Sequence, residues 1–284
     1  MVKRILGLAA LAALVLSASA GAAHRSLPTR IVSLSPTATE DLFAIGAGKQ
    51  VVAVDSDSDY PPRAPHTKLS AYTPNAEAIA AYRPDLVVLA EDASGIAEAM
   101  SKLSIPVLLQ TPAKGLAGAY AQLTQLGKAT GHEAGAAAVI ARMKRGIAQA
   151  VASVPKGANL TYYEELGPDY YSATSTTFGG AALKLLGLKD IADAADKSGS
   201  GYPKLSGEYI VAANPDLIVL ADTTCCGQTA AKVAARPGWS GIAAVEDGGV
   251  VAVNDDIASR WGPRIVDFLQ AVAAGARKVQ AARG

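Results

Sequence analysis

Residues 77–91, EAIAAYRPDLVVLAE, are restated almost word for word by residues 208–222, EYIVAANPDLIVLAD. The offset is 131 residues at Glu77 and Glu208, at Pro84 and Pro215, and at Asp85 and Asp216. Each copy reads as a short helix that opens at a glutamate and closes before proline. Asp follows, then four unbroken apolar residues and an acid. A solenoid needs periods of roughly 20–50 residues and at least three copies. A unit used twice at this distance specifies two similar lobes instead.

The remaining punctuation agrees. RIVSL (30–34), VVAV (51–54) and PVLL (106–109) in the first half, and ANLTYYEEL (158–166) and VVAV (250–253) in the second, alternate with helical stretches. Apolar strands without polar interruption, separated by helices, indicate parallel sheets covered on both faces. Between the halves, Val139, Met143, Ile147 and Val151 recur every fourth residue, with Arg142, Lys144 and Arg145 off that stripe. Pro155 ends the pattern. A flexible linker would be rich in Gly, Ser or Pro. The expected fold is α/β: two Rossmann-like lobes with parallel sheets, residues 21–132 and 156–284, joined by one long rigid α-helix at 133–155.

Half of the 284 residues are hydrophobic and 18% are charged, which suits a packed core and excludes wholesale disorder. Net charge is +1, and no basic tract is interleaved with aromatics, so nucleic acid is not an expected partner. Lys3 and Arg4 precede an apolar run at 5–16, and Ala18-Ser19-Ala20 offers a small-residue exit. That is a secretory signal peptide over residues 1–20. Its apolar run falls short of the roughly 20 residues a membrane span requires. The mature chain is expected outside the cytoplasm, in the periplasm or its equivalent, with no cysteine near the cut to carry a lipid anchor. The two cysteines, Cys225 and Cys226, are adjacent. An oxidising compartment allows pairing, yet neighbouring Cα atoms lie about 3.8 Å apart, under the usual 4.4–6.8 Å for a disulfide. A vicinal bridge and two free thiols both remain open.

Catalytic patterns are lacking. DSDSD (55–59) opens like a calcium loop, but Tyr60 stands at the sixth position, where glycine is required. GAGK (46–49) lacks the first glycine of a phosphate loop, since Phe43 stands there, and Gln50 replaces its Ser/Thr. The GSG around Ser200 is not a nucleophile elbow. His24, His66 and His132 stand singly, with no second metal ligand at a useful spacing. Glu164 and Glu165 are neighbours on a strand and point to opposite faces, so they cannot flank one bond. Neither a catalytic residue, a resident metal nor a cofactor is expected, and binding is the reading that remains.

In open parallel sheets ligands sit beyond the carboxyl ends of the strands, so two facing lobes form a cleft lined by post-strand loops. Those loops hold Ser35 and Thr37, residues 57–60 with Asp57 and Tyr60, then Tyr72, Tyr170, Tyr171 and Tyr202, the cysteine pair, and residues 254–264, which include Asp256, Arg260 and Trp261. Aromatic faces in a concave site suit a large, flat, partly apolar ligand.

The stretches RIVSLSPTATEDLFAIGAGKQVVAVDSDSDYPP, EAIAAYRPDLVVL and DDIASRWGPRIVDF resemble the binding proteins of ABC importers for vitamin B12 and ferric siderophores, over nearly all of the chain after the signal. The resemblance implies the two-lobed fold with its linking helix, a monomer, no enzymatic activity, and an ABC permease and a small-molecule metal chelate as partners. Against the vitamin B12 binders, cleft aromatics fall on Tyr72 and Tyr202, both tryptophan there, and polar ligand contacts fall on Asp256 and Arg260. A cleft tyrosine of those proteins falls on Asp57, a departure. Members of the family dock on the permease through one exposed glutamate per lobe, at positions matched by Glu77 and Glu208. The residues themselves also allow a second reading, in which both glutamates merely favour helix N-termini.

Tyrosines with a single cleft arginine fit a near-neutral corrinoid or hydroxamate siderophore better than a highly anionic chelate. No His or Met stands in the candidate loops as an axial ligand for haem. An exported hydrolase or a ligand sensor on the same scaffold is the alternative class.

Overall fold

The computed structural model describes residues 26–284, so the signal-peptide reading of residues 1–20 lies outside the described residues. Two wholly parallel sheets form two lobes. The first holds β1 (Ile31–Leu34), β2 (Val51–Val54), β3 (Leu86–Leu89) and β4 (Val107–Leu109) in the order β2-β1-β3-β4. The second holds β5 (Thr161–Glu165), β6 (Lys189–Asp190), β7 (Leu217–Leu220) and β8 (Val250–Ala252) in the order β6-β5-β7-β8. Strand for strand the two orders match, so the repeat in sequence is a repeat of topology. The central strands β1, β3 and β7 are buried along their whole lengths, as helices on both faces require.

The duplicated sentence has a structural meaning at each of its parts. Asn75 and Ser206, again 131 residues apart, cap the helices Ala76–Ala80 and Gly207–Ala213 by accepting from the N–H groups of Ala78 and Tyr209. Arg83 (φ 49°) and Asn214 (φ 46°) take the left-handed conformation just before each proline and turn the chain back toward the sheet. The aspartates then tie two strands together. Asp85 accepts from the N–H groups of Thr29 and Arg30 at 2.8 Å, and Asp216 from that of Thr161 at 2.7 Å. Each carboxylate thus satisfies backbone donors at the start of the neighbouring central strand, where the ladder has not yet begun. Burial opposes ionisation of Asp85, but these N–H donors hold its carboxyl below the usual range.

The linking helix runs Glu133–Ser153, about 31 Å at 1.5 Å per residue. It is a shared wall rather than a tether. Val139, Met143 and Ile147 are buried in one continuous core that includes Ile31 and Val88 of the first sheet and Tyr162 and Val219 of the second. Two glycines allow the close approach. A Cβ on Gly135 would lie 1.9 Å from the backbone oxygen of Ile45, and one on Gly146 would lie 2.4 Å from Cγ1 of Val266. Val151, the fourth member of the expected stripe, is 37% exposed, and Ala150 is buried in its place. Steps of four residues drift about 40° each around a helix of 3.6 residues per turn, so the stripe has rotated away by then.

Separate outer cores complete each lobe, Val32, Leu34, Val87 and Leu89 with Met100 in the first, Tyr163, Ile218 and Leu220 with Trp239 in the second. Several helices were not expected, among them Leu116–Thr130 and Asp255–Ser259. Leu116–Thr130 packs on the linking helix through Leu123 and Leu126, its periodicity diluted by Gly, Thr and Gln. Asp255–Ser259 lies inside a stretch that reads as loop and is capped by Asn254, which accepts from the N–H groups of Asp256 and Ile257. Among the described residues no helix is long and apolar enough to cross a membrane.

Candidate ligand-binding cleft

The carboxyl ends of the two sheets open onto two adjoining cavities of about 480 and 270 Å³. The larger belongs to the first lobe, with Ser35 and Thr37 after β1, Asp57 after β2 and Tyr72 along its wall. The smaller belongs to the second, with Glu164 at the end of β5, Thr177, Phe178 and Tyr202. Pro112, Ser259 and Trp261 line both, so Trp261 stands at the partition. Its indole N–H donates to Oε1 of Gln122 at 2.8 Å, which fixes a ring from the second lobe to a helix of the first. Tyr72 is 76% exposed and Tyr202 54%, one on each cavity, a large aromatic surface left unburied in each lobe.

Six of the nine expected ligand residues line the larger cavity: Ser35, Asp57, Tyr72, Asp256, Arg260 and Trp261. Tyr202 lines the smaller one, which Trp261 shares. Tyr60 and Tyr171 line neither cavity. The Arg264 guanidinium lies 4.1 Å from the Tyr60 ring centroid, and the Lys204 ammonium 5.4 Å from that of Tyr171. Tyr170 stacks on Trp239 at 5.6 Å in the outer core of its lobe. The hydroxyl of Ser35 accepts from the Ala38 N–H, so this buried residue caps the helix Pro36–Ile45 at the cavity wall.

Arg260 and Asp256 bind one another. Nη2 of Arg260 donates to Oδ1 of Asp256 at 2.7 Å and to the backbone oxygen of Asp57 at 2.9 Å. Nη1 donates to Oε1 of Glu40 at 2.8 Å and to Oδ1 of Asp59 at 3.0 Å. The residue is only 8% exposed, and its charge is shared among three carboxylates. Glu40 also receives Arg264, so a glutamate of the first lobe is clasped by two arginines of the second. Nothing local in the sequence announces Glu40. Its one cue is an acid in an otherwise core-facing helix.

Among the described residues, Arg260 is the only basic one that lines either cavity, against Asp57, Glu91 and Asp256 in one and Glu164 and Asp255 in the other. Burial raises Asp256 despite Arg260 beside it. Burial likewise opposes ionisation of Asp255, yet the N–H groups of Thr224 and Cys225 hold it below the usual range. Asp255 thereby fixes the loop that carries the cysteine pair. Cys225 and Cys226 are joined in a disulfide, which settles the alternative left open by their spacing. They are exposed and line neither cavity.

Glu77 and Glu208 are exposed, each the second residue of its short helix. Hydrogen bonds from its own N–H and from Ser206 lower the Glu208 carboxyl.

Comparisons with known proteins agree with this architecture. The model of the family described as "Periplasmic binding protein" matches residues 31–257. An uncharacterised ABC transporter substrate-binding lipoprotein of Bacillus subtilis is 32% identical over 256 residues, covering 87% of this chain and 79% of the relative. A cobalamin-binding protein of Halobacterium salinarum is 32% identical over 255 residues, covering 85% of this chain and 68% of the relative. Among solved structures, the periplasmic haem-binding protein of Vibrio cholerae superposes with a TM-score of 0.76 at 20% identity, covering 87% of this chain and 98% of that one. That last likeness speaks for the fold alone. With a family match across most of its length and relatives aligned over most of both chains, this chain belongs to the periplasmic binding protein family.

Proposed function

We propose that the chain is the extracytoplasmic solute-binding protein of an ABC importer, which captures a metal chelate between its lobes and delivers it to the membrane permease. The observation that carries this reading is the pair of cavities meeting at Trp261, each with an exposed tyrosine, Tyr72 on one side and Tyr202 on the other. Opposed aromatic faces bind a flat, partly apolar ligand by stacking and burial. Binding is the whole of the mechanism, with no covalent step. The linking helix, packed into the cores of both lobes, keeps the cleft largely preformed and reduces the ordering entropy lost on binding.

The ligand is a neutral or cationic chelate, a cobalamin-type corrinoid or a ferric hydroxamate siderophore. Five carboxylates line the cavities, and the one guanidinium among them already serves Glu40, Asp59 and Asp256. An anionic chelate would enter this field without a free cation to receive it. The names of the Bacillus and Halobacterium relatives support transport and cobalamin respectively. Glu77 and Glu208, one per lobe at equivalent helix starts, are the contacts to the permease. Exposed ion pairs of about 0–1 kcal/mol each suit a contact that forms and releases every cycle.

The test is uptake of labelled cyanocobalamin and of ferric ferrioxamine by cells that depend on this protein. Uptake of either is expected, with Glu77→Ala plus Glu208→Ala reducing it and leaving ligand affinity intact. Normal uptake by the double variant would refute the docking assignment. Uptake of neither ligand would refute the importer reading.

A further inference from the structure

Glu164 and Glu165 stand side by side at the end of β5 and meet opposite fates. Glu165 points to the outer core, where Nη1 and Nη2 of Arg236 each donate to it at 2.6 Å. Glu164 points to the other face and lines the smaller cavity. It is 2% exposed, and its Oε2 is buried without a hydrogen-bond partner among the described residues. Natural cores rarely leave a polar atom in that condition, since an unmade hydrogen bond costs about 1–3 kcal/mol. The open space that Glu164 lines is the smaller cavity.

The surroundings decide what that partner can be. Asp190 faces Glu164 from β6, with Asp193 beside Asp190. Tyr162 precedes Glu164 on β5, its hydroxyl donating to Oδ2 of Asp190 at 2.8 Å. Tyr202 and Asp255 share the cavity wall. Among the described residues no lysine, arginine or histidine lines that cavity. Burial, with Asp190 alongside, pushes the Glu164 carboxyl up to about 8, so at neutral pH it holds its proton. A protonated carboxyl has one O–H donor and a carbonyl acceptor on the same edge. That edge matches a primary amide, which accepts through its oxygen and donates through its N–H. A carboxylate-bearing ligand would offer only acceptors and would meet Asp190 and Asp255.

Building on the receptor reading, we infer that Glu164 is the ligand-recognition group of the second lobe, a carboxylic acid that pairs with an amide edge of a neutral chelate and rejects chelates edged with carboxylates. Corrinoids, whose rim carries primary amides, meet the requirement. Haem, whose edge carries two propionates, does not. Affinity then follows the proton: it holds while Glu164 is protonated and falls as the group ionises.

The experiment is equilibrium binding of cyanocobalamin, ferric ferrioxamine and haemin to the purified mature protein between about pH 6 and about pH 9. Cyanocobalamin affinity is expected to fall about tenfold across that range in the wild type. Glu164→Gln, which keeps a donor and an acceptor but cannot ionise, is expected to weaken binding about threefold and to flatten the profile. Glu164→Leu, which removes a buried polar group and so does not threaten folding, is expected to lose at least about tenfold at every pH. Haemin is expected to bind weakest of the three. A flat wild-type profile, wild-type affinity in Glu164→Leu, or preference for haemin would overturn the inference and leave the receptor reading standing. Binding of none of the three would overturn both.

Discussion

Glu40 and Arg264 join the two lobes by a two-point ion pair, Nε to Oε2 at 2.8 Å and Nη2 to Oε1 at 2.5 Å. Arg260 completes the clasp on Oε1 of the same glutamate. Glu40 is almost fully buried, so removing it leaves Arg264 without its carboxylate and takes one of three from Arg260. Breaking a buried pair by deleting one partner costs about 3–5 kcal/mol. Glu40→Ala is expected to lose stability of that order in urea unfolding and to weaken ligand binding, because the lobes lose their fixed spacing. An unchanged urea midpoint would show that the clasp is dispensable.

Tyr72 and Tyr202 contribute exposed ring surface to the cleft rather than packing to either core. Tyr72→Ala and Tyr202→Ala are each expected to weaken ligand binding about tenfold, near 1.4 kcal/mol, with melting temperature unchanged. Tyr60→Ala and Tyr171→Ala serve as comparisons, since those rings line neither cavity. Equal losses at all four positions would argue against the cleft as drawn.

Stability should decline as solutions become mildly alkaline. Burial, with Asp190 alongside, raises Glu164 from 4.5 to about 8, and burial raises Asp190 from 3.8 to about 7. A carboxyl raised on folding contributes stability that is complete below its unfolded pKa and is lost as pH climbs through its folded one. Asp85, Asp216 and Asp255 are lowered and act in the opposite sense, their contribution lost in acid. The melting temperature is expected to peak near about pH 5 and to drop by several degrees toward about pH 8. Glu164→Gln should remove part of that decline. A melting temperature that rises from about pH 5 to about pH 8 would contradict the assignment.

The linking helix has no room at Gly135. Glycine there places the helix against the carbonyl of Ile45, and an alanine Cβ would sit 1.9 Å from that oxygen. Gly135→Ala is expected to destabilise by about 1–3 kcal/mol or more through forced displacement of the backbone. Ala137→Gly, at an exposed position two residues along, should cost about 1 kcal/mol from helix propensity alone. Comparable effects at both sites would mean that the helix is less tightly seated than its contacts imply.

Much of the fold is legible in local sequence because parallel strands buried on both faces are written as uninterrupted apolar runs. Leu86–Leu89 and Leu217–Leu220 announce β3 and β7 in this way, whereas the clamp that Asp85 and Asp216 place on the neighbouring strand shows only in the fold. Tyr72 and Tyr202 are legible for a related reason, since each directly precedes a helix whose start is signalled in sequence. The chemistry of Arg260 is not. Its partner Glu40 lies 220 residues away, and no local pattern reports which acids converge on a guanidinium. Tyr60 and Tyr171 show the same gap, because a ring in a post-strand loop reads alike whether it faces a cavity or a neighbouring cation. Glu164 and Glu165 read as a strand doublet facing opposite ways, but only the fold shows which one meets an arginine and which a cavity.

The most direct measurement is a calorimetric titration of the ligand-free protein with cyanocobalamin at neutral pH. One-to-one binding at submicromolar strength, weakened in Tyr72→Ala and Tyr202→Ala, is the expected result. Absence of heat with cyanocobalamin and ferric ferrioxamine, together with tight binding of haemin, would contradict a cleft built for a neutral chelate.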